Sequence, residues 1–231
     1  MKRRCLFFLF LFVFLALPAS AAESTDALFP AFTYEGVLRY GTEGFSEGER
    51  VRLYEAEDGK YYAVGARGRR ARVPWDAVEA IPKPSPTLPA PTAAEIASYA
   101  GAHFESKTDF LIWVDLARAR VYVLEYADEG WQVLRNLPAS VGDFAHPTPT
   151  GRFEVSYKSA SIGKEGLYLC RHALCFYGSY MLHSTLFDWA GQNALDGRLG
   201  LRISHGCIRL SPNESRYLYE TVPIGTAVVV R

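Results

Sequence analysis

The chain predicts a mainly β protein: a small all-β barrel followed by a larger, mostly antiparallel β domain with one late helix. Three observations carry that prediction. Short runs rich in β-branched and aromatic residues recur along most of the chain and are separated by turn signals. The stretch Ile81-Pro82-Lys83-Pro84-Ser85-Pro86-Thr87-Leu88-Pro89-Ala90-Pro91 carries a proline at almost every second position and divides the chain in two. Only two segments read as helix, a short one after Thr92 and a longer one from Pro212 to Glu220.

The first residues address the compartment. Met1-Lys2-Arg3-Arg4 is a positive start, Leu6 to Leu17 is an unbroken apolar run, and Ala19-Ser20-Ala21 fits a small-residue cleavage site. Together they predict a secretory signal peptide over 1–22 and an exported protein of the cell wall or periplasm. The apolar run falls short of the ~20 residues a spanning helix needs, so no stable membrane span is expected after cleavage. Cys5 precedes the run, whereas a lipid-modified cysteine would follow it. Of 25 basic and 25 acidic residues, cleavage removes Lys2, Arg3 and Arg4 and no acid, leaving 22 against 25. That balance lacks the clustered positive charge of a nucleic-acid partner.

The first unit is expected over 32–81. Glu49-Arg50-Val51-Arg52-Leu53-Tyr54 alternates charged and apolar side chains, as a half-buried strand does. Glu57-Asp58-Gly59-Lys60 is a turn, Tyr61-Tyr62-Ala63-Val64 the return strand, and Arg67-Gly68-Arg69-Arg70 a second turn before Val73-Pro74-Trp75. The basic run Arg67 to Arg72 reads as a solvated turn rather than a binding patch. The prolines of the linker, 82–91, remove amide donors and fix φ, so that stretch is a semi-rigid extended spacer. Thr92-Ala93-Ala94-Glu95 carries a capping-box pattern and predicts one short helix to about Tyr99.

The second unit is expected over 105–231. Leu111 to Leu116 and Arg120 to Tyr126 predict a hairpin, Trp131 to Leu137 a third strand and Arg152 to Tyr157 a fourth. Val141 to Gly151 between them reads as loop. Tyr180-Met181-Leu182-His183-Ser184 is strand-like, and Gly225 to Val230 is a closing strand. The long connection Thr185 to Ile203 has the length of a lid or binding wall.

Three cysteines, Cys170, Cys175 and Cys207, follow the signal segment. An odd count in an exported chain points to one pair and one free thiol. Cys170 and Cys175 can bridge across a tight turn, the alternative being two reduced, buried thiols; either way Cys207 is free. It stands in Ser204-His205-Gly206-Cys207-Ile208-Arg209. A thiol has a pKa near 8.5, so a base or a positive field must activate it. His205 is too close along the chain to reach in freely. His183 can approach from a neighbouring strand, and a carbonyl or hydroxyl at Ser184 would orient it. Amides at Gly206 and Cys207 are candidates for an oxyanion pocket. Arg198, Arg202 and Arg209 bring guanidinium forks toward the thiol, which suits a carboxylate-bearing substrate. Pairing with nearby acids is the alternative for at least one of them.

The block Ser204 to Arg209 with His183 upstream closely resembles the signature of the L,D-transpeptidase catalytic domain family. Val114-Asp115-Leu116 through Val121-Tyr122-Val123 looks like that family's opening hairpin, and Thr148-Pro149-Thr150-Gly151 like its loop. The resemblance implies a β-sandwich catalytic domain acting on peptidoglycan stem peptides. In such enzymes the cysteine takes the acyl group of the stem's third residue, releases D-alanine, and passes the acyl group to an amine of a neighbouring stem. Carried over, Cys207 is nucleophile, His183 base and Ser184 its orienter. Ser204, His205 and Gly206 are oxyanion or structural groups, and Arg209, Arg198 and Tyr180 substrate-binding ones. A carbapenem, which mimics the acyl donor, is expected to add at Cys207. The segment Asp196-Gly197-Arg198-Leu199-Gly200 departs from the family's pattern. Separately, residues 32–81 resemble a bacterial SH3-like domain, a degenerate pattern that implies either wall binding or a spacer role.

Three rivals stand beside that reading. Hydrolysis of the same acyl-enzyme would make an L,D-carboxypeptidase, and an inactive catalytic domain would leave a wall-binding protein. A metal centre drawn from His172, His183, His205, Cys170, Cys175 and Cys207 lacks any zinc-type pair spacing. No cofactor and no metal is therefore expected, and the oligomeric state is not readable.

Overall fold

The computed structural model describes residues 28–29, 34–57, 60–81, 88–143 and 146–231. The expected signal peptide and residues 82–87 of the expected linker lie outside the described residues. None of the described helices is long and apolar enough to cross a membrane.

The first unit is a five-stranded antiparallel sheet of β1 (Tyr34–Leu38), β2 (Arg50–Glu57), β3 (Lys60–Val64), β4 (Arg70–Pro74) and β5 (Val78–Ile81). Its order is β4-β3-β2-β1-β5. The alternation expected at 49–54 holds over 50–53: Val51 and Leu53 are buried while Arg50 and Arg52 are exposed. Val51 and Leu53 join Leu38, Phe45, Tyr61 and Val73 in a core of the unit's own.

Across the linker, the helix Ala93–His103 begins at Thr92, whose hydroxyl accepts from the Glu95 amide. Glu95 Oε2 reciprocates by accepting from the Thr92 amide at 2.7 Å, closing the capping box. The helix runs one turn past the expected end because Tyr99 and Ala100 are buried against the sheet beneath. It therefore packs on the second unit, although it precedes that unit's expected start at 105.

Two sheets then build a β-sandwich. The first has the order β10 (Gly151–Glu154), β18 (Ala227–Val230), β6 (Phe110–Asp115), β7 (Arg120–Ala127), β8 (Gly130–Pro138). The second contains β11 (Tyr157–Lys164), β12 (Tyr168–Tyr177), β13 (Tyr180–Ser184), β14 (Leu186–Phe187), β15 (Ala194–Asp196) and β17 (Ile208–Leu210). Ile112, Val114, Val121, Leu174, Leu182 and Val228 meet between them in the main core. The helix Pro212–Thr221 closes one end with Leu218 and starts at Ser211, whose hydroxyl accepts from the Glu214 amide. The mainly β prediction is borne out, as are the hairpin β6–β7 and the late helix.

Two strand boundaries differ from expectation. Arg152 to Tyr157 is not one strand: β10 pairs with β18 in the first sheet, β11 with β12 in the second. Val155 and Ser156 carry the chain between sheets, their amides donating to Thr226 O and Cys175 O. Nor is 141–151 all loop, since β9 (Val141–Gly142) pairs in parallel with β16 (Arg202–Ser204).

Leu28 and Phe29 also seat on this body. Phe29 packs 4.6 Å from the Trp113 ring and 4.8 Å from the Tyr99 ring. Arg118 donates to Leu28 O and to Pro89 O, at 2.6 and 3.1 Å, so one guanidinium holds chain from either side of the first unit. Its own ion pair with Asp115, at 2.7 Å, is buried. Such a charge is tolerated inside only when paired and hydrogen-bonded.

Candidate active site

Parallel pairing of β13 with β17 places the central groups. His183 lies opposite Arg209 and Leu182 opposite Ile208. Side chains alternate across a strand, so Leu182, Ile208 and Leu210 enter the core while Met181, His183, Cys207 and Arg209 share the other face. Cys207, immediately before β17, sits one rung from His183 on that face.

His183 is 4% exposed. Its Nδ1 lies 2.6 Å from Ser184 O. A carbonyl can only accept, so Nδ1 carries the proton and Nε2 the lone pair. Of the two orienting groups expected at Ser184, the carbonyl does the work. The hydroxyl instead donates to Thr185 O and accepts from the Arg171 amide. Burial lowers the His183 pKa to about 4, opposed by the Ser184 carbonyl and assisted by Arg209. At neutral pH the ring is uncharged and able to take a proton.

Cys207 is half-buried, with Sγ 3.8 Å from Ser179 O. Burial pushes its thiol pKa up, against the Met181 amide and the Arg209 guanidinium, which pull it down. At neutral pH Cys207 is thus a thiol and His183 a neutral imidazole.

The turn before Cys207 is tied by Ser204. That buried hydroxyl donates to Cys207 O at 2.5 Å and accepts from the Gly206 amide at 3.1 Å. The Gly206 amide, expected in an oxyanion pocket, is therefore committed within the turn. Gly206 has φ of 100°, and a Cβ there would lie 2.3 Å from Tyr180 Cε1. Glycine is required both by the backbone and by Tyr180, which packs against the turn. Burial, then the neighbouring Cys207, raises the Tyr180 pKa. His205 is exposed and its ring lies against that of His146, centroids 4.4 Å apart and planes tilted by 45°.

The guanidinium groups expected to hold substrate are bonded to a residue the sequence reading passed over. Arg209 Nη1 and Arg198 Nε both reach Asp196, at 3.0 and 2.9 Å. The Arg198 hydrogen bond, opposed by partial burial, leads in holding the Asp196 pKa at about 2. Pairing with a nearby acid thus holds for Arg198 and for Arg209, and it tethers the 185–203 connection to the strand behind Cys207. Arg202 donates to Leu116 O. Asp196 lies in the 185–203 connection, 13 residues from Arg209, and no local signal in the sequence marked it.

The expected Cys170–Cys175 disulfide is absent. Both thiols are free and buried, five residues apart along β12, a separation of about 16 Å in an extended strand. The turn needed for bridging does not exist. Burial raises Cys170 to about 12, so it stays a protonated, unreactive thiol.

Comparison with known proteins matches residues 109–230 to the L,D-transpeptidase catalytic domain. The chain is 34% identical over 126 residues to the probable L,D-transpeptidase ErfK/SrfK of Salmonella typhimurium, covering 54% of this chain and 29% of that protein. It is 28% identical over 134 residues to L,D-transpeptidase 1 of Mycobacterium tuberculosis, covering 53% and 51%. The chain thus spans about half or less of the length of these relatives. Among solved structures, a fused Zn-dependent amidase/peptidase/peptidoglycan-binding domain-containing protein from Clostridium acetobutylicum is 32% identical, with a TM-score of 0.51 over 60% of this chain and 59% of that one.

Proposed function

The chain belongs to the L,D-transpeptidase catalytic domain family, and on that premise we propose that it is an exported cysteine acyltransferase acting on peptidoglycan stem peptides. One observation carries the reading: an uncharged His183, with Nδ1 locked to the Ser184 carbonyl, shares a sheet face with Cys207 one rung away. As Cys207 Sγ attacks the carbonyl of the stem's third residue, its proton passes to His183 Nε2. The bond to the terminal D-alanine breaks, and His183 returns the proton to the departing amine. A neighbouring stem's amine then attacks the thioester and gives its proton to His183, which passes it to Cys207 Sγ as the C–S bond breaks and the thiol is restored. With the Gly206 amide held by Ser204, the developing oxyanion falls to the Cys207 amide.

Tyr180 forms one wall of the site, and the 185–203 connection, tied through Asp196 to Arg209, forms the other. Breaking the Arg198–Asp196 bond would free a cation for a stem carboxylate. Export is read from Met1 to Ala22, and the five-stranded first unit is read as an SH3-like module. Incubation with disaccharide-tetrapeptide tests the reaction: cross-linked dimer and free D-alanine are expected. Tripeptide without dimer would convert the reading to a carboxypeptidase, and unchanged substrate would refute both.

A further inference from the structure

Two loops meet beside the candidate site. In the parallel pair β9–β16, Gly142 lies opposite Ser204, so the residues that follow, Asp143 and His205, leave the ladder side by side. The Asp143 amide donates to Ser204 O at 2.9 Å. The chain then folds back: the Gly142 amide donates to Thr148 Oγ1 at 2.8 Å and the His146 amide to Asp143 Oδ1 at 2.7 Å. A Cβ on Gly142 would stand 2.3 Å from His146 O, so this close return depends on glycine. It brings the His146 ring onto the His205 ring, with His146 Nδ1 3.1 Å from Asp143 Oδ1. One ligand atom from each of Asp143, His146 and His205 lies within 4.8 Å of the other two.

We propose that Asp143, His146 and His205 form a site for a divalent cation of the zinc class. Two imidazoles and a carboxylate are a ligand set that Zn²⁺ accepts, and neighbouring donors around a tetrahedral ion stand about 3.3 Å apart. The Asp143–His146 spacing already matches that value, and rotation of the exposed His205 closes the remainder. Asp143 contributes a negative charge that favours the cation over its absence, while imidazole nitrogens disfavour hard Mg²⁺ and Ca²⁺. Three protein ligands leave a further position for water or an anion. The ion would link the β9–β10 loop to the turn carrying Cys207, two residues beyond His205. Of the six residues named for a metal centre from the sequence only His205 is shared, the other two ligands being Asp143 and His146. The proposal is independent of the acyl-transfer reading.

Calorimetric titration of Zn²⁺ into the full chain tests it, in the wild type and in Cys207→Ala. One Zn²⁺ is expected to bind in both. Affinity should fall tenfold or more in Asp143→Asn and in His146→Gln, with thermal melting without metal showing that each variant remains folded. Failure of the Cys207→Ala protein to bind Zn²⁺, or undiminished binding by both site variants, would overturn the proposal.

Discussion

β6 and β13 lie in facing sheets of one sandwich and are both buried beyond their first residue, yet they bury different kinds of group. In β6 every residue from Leu111 to Asp115 is buried, because Ile112 and Val114 face the other sheet while Leu111 and Trp113 are covered by the helix Ala93–His103 and Phe29. In β13 only one face serves the main core, through Leu182. The other carries Met181 and His183 toward Cys207 and Arg209. A sheet covered on both faces is devoted to packing. One whose second face buries polar groups can hold an imidazole, a thiol and a guanidinium in register.

The difference makes substitutions on the two strands separable. His183→Ala should slow acylation by about 10²–10⁴, the range for general-base catalysis, while leaving the fold intact. Rapid-quench mass spectrometry would measure the rate, and an unimpaired rate would remove His183 from its role. Trp113→Ala should act the other way. Trp113 is 1% exposed and lies between Phe29, Tyr99, Phe104 and Tyr122, so the change should cost roughly 3–5 kcal/mol of stability. The folded fraction should retain its acylation rate. Chemical denaturation reads the first quantity, and a lost rate in folded protein would break the division between the sheets.

A smaller effect follows from acid. His183 titrates near 6.5 when unfolded and near 4 when folded, so the unfolded chain binds the proton first. Its contribution is intact above about pH 6.5 and is lost as pH falls toward 4, by about 3 kcal/mol in all. Comparing denaturation of wild type and His183→Gln across that window isolates it. Equal slopes would place the His183 pKa at its ordinary value.

The sequence made the chemistry legible wherever one strand or one turn held the signal. The hairpin β6–β7, the strand around His183 and the block Ser204 to Arg209 were all local patterns. What escaped depends on chain segments far apart. Val155 and Ser156 read as strand, but the chain changes sheets there, which only the partners Thr226 and Cys175 reveal. Asp196 pairs with Arg209 across the connection, and no spacing rule relates the two. His146 meets His205 only because Gly142 permits a close return. The disulfide expectation failed for a related reason: closeness in sequence means separation along an extended strand, and Cys170 and Cys175 share β12.

The central claim is that Cys207 is the acylating nucleophile. Intact-mass measurement after exposure to a carbapenem, on wild type and on Cys207→Ala, tests it most directly. One covalent adduct on the wild type and none on the variant is the predicted result. An adduct that persists on Cys207→Ala, where Cys170 and Cys175 remain, would contradict it.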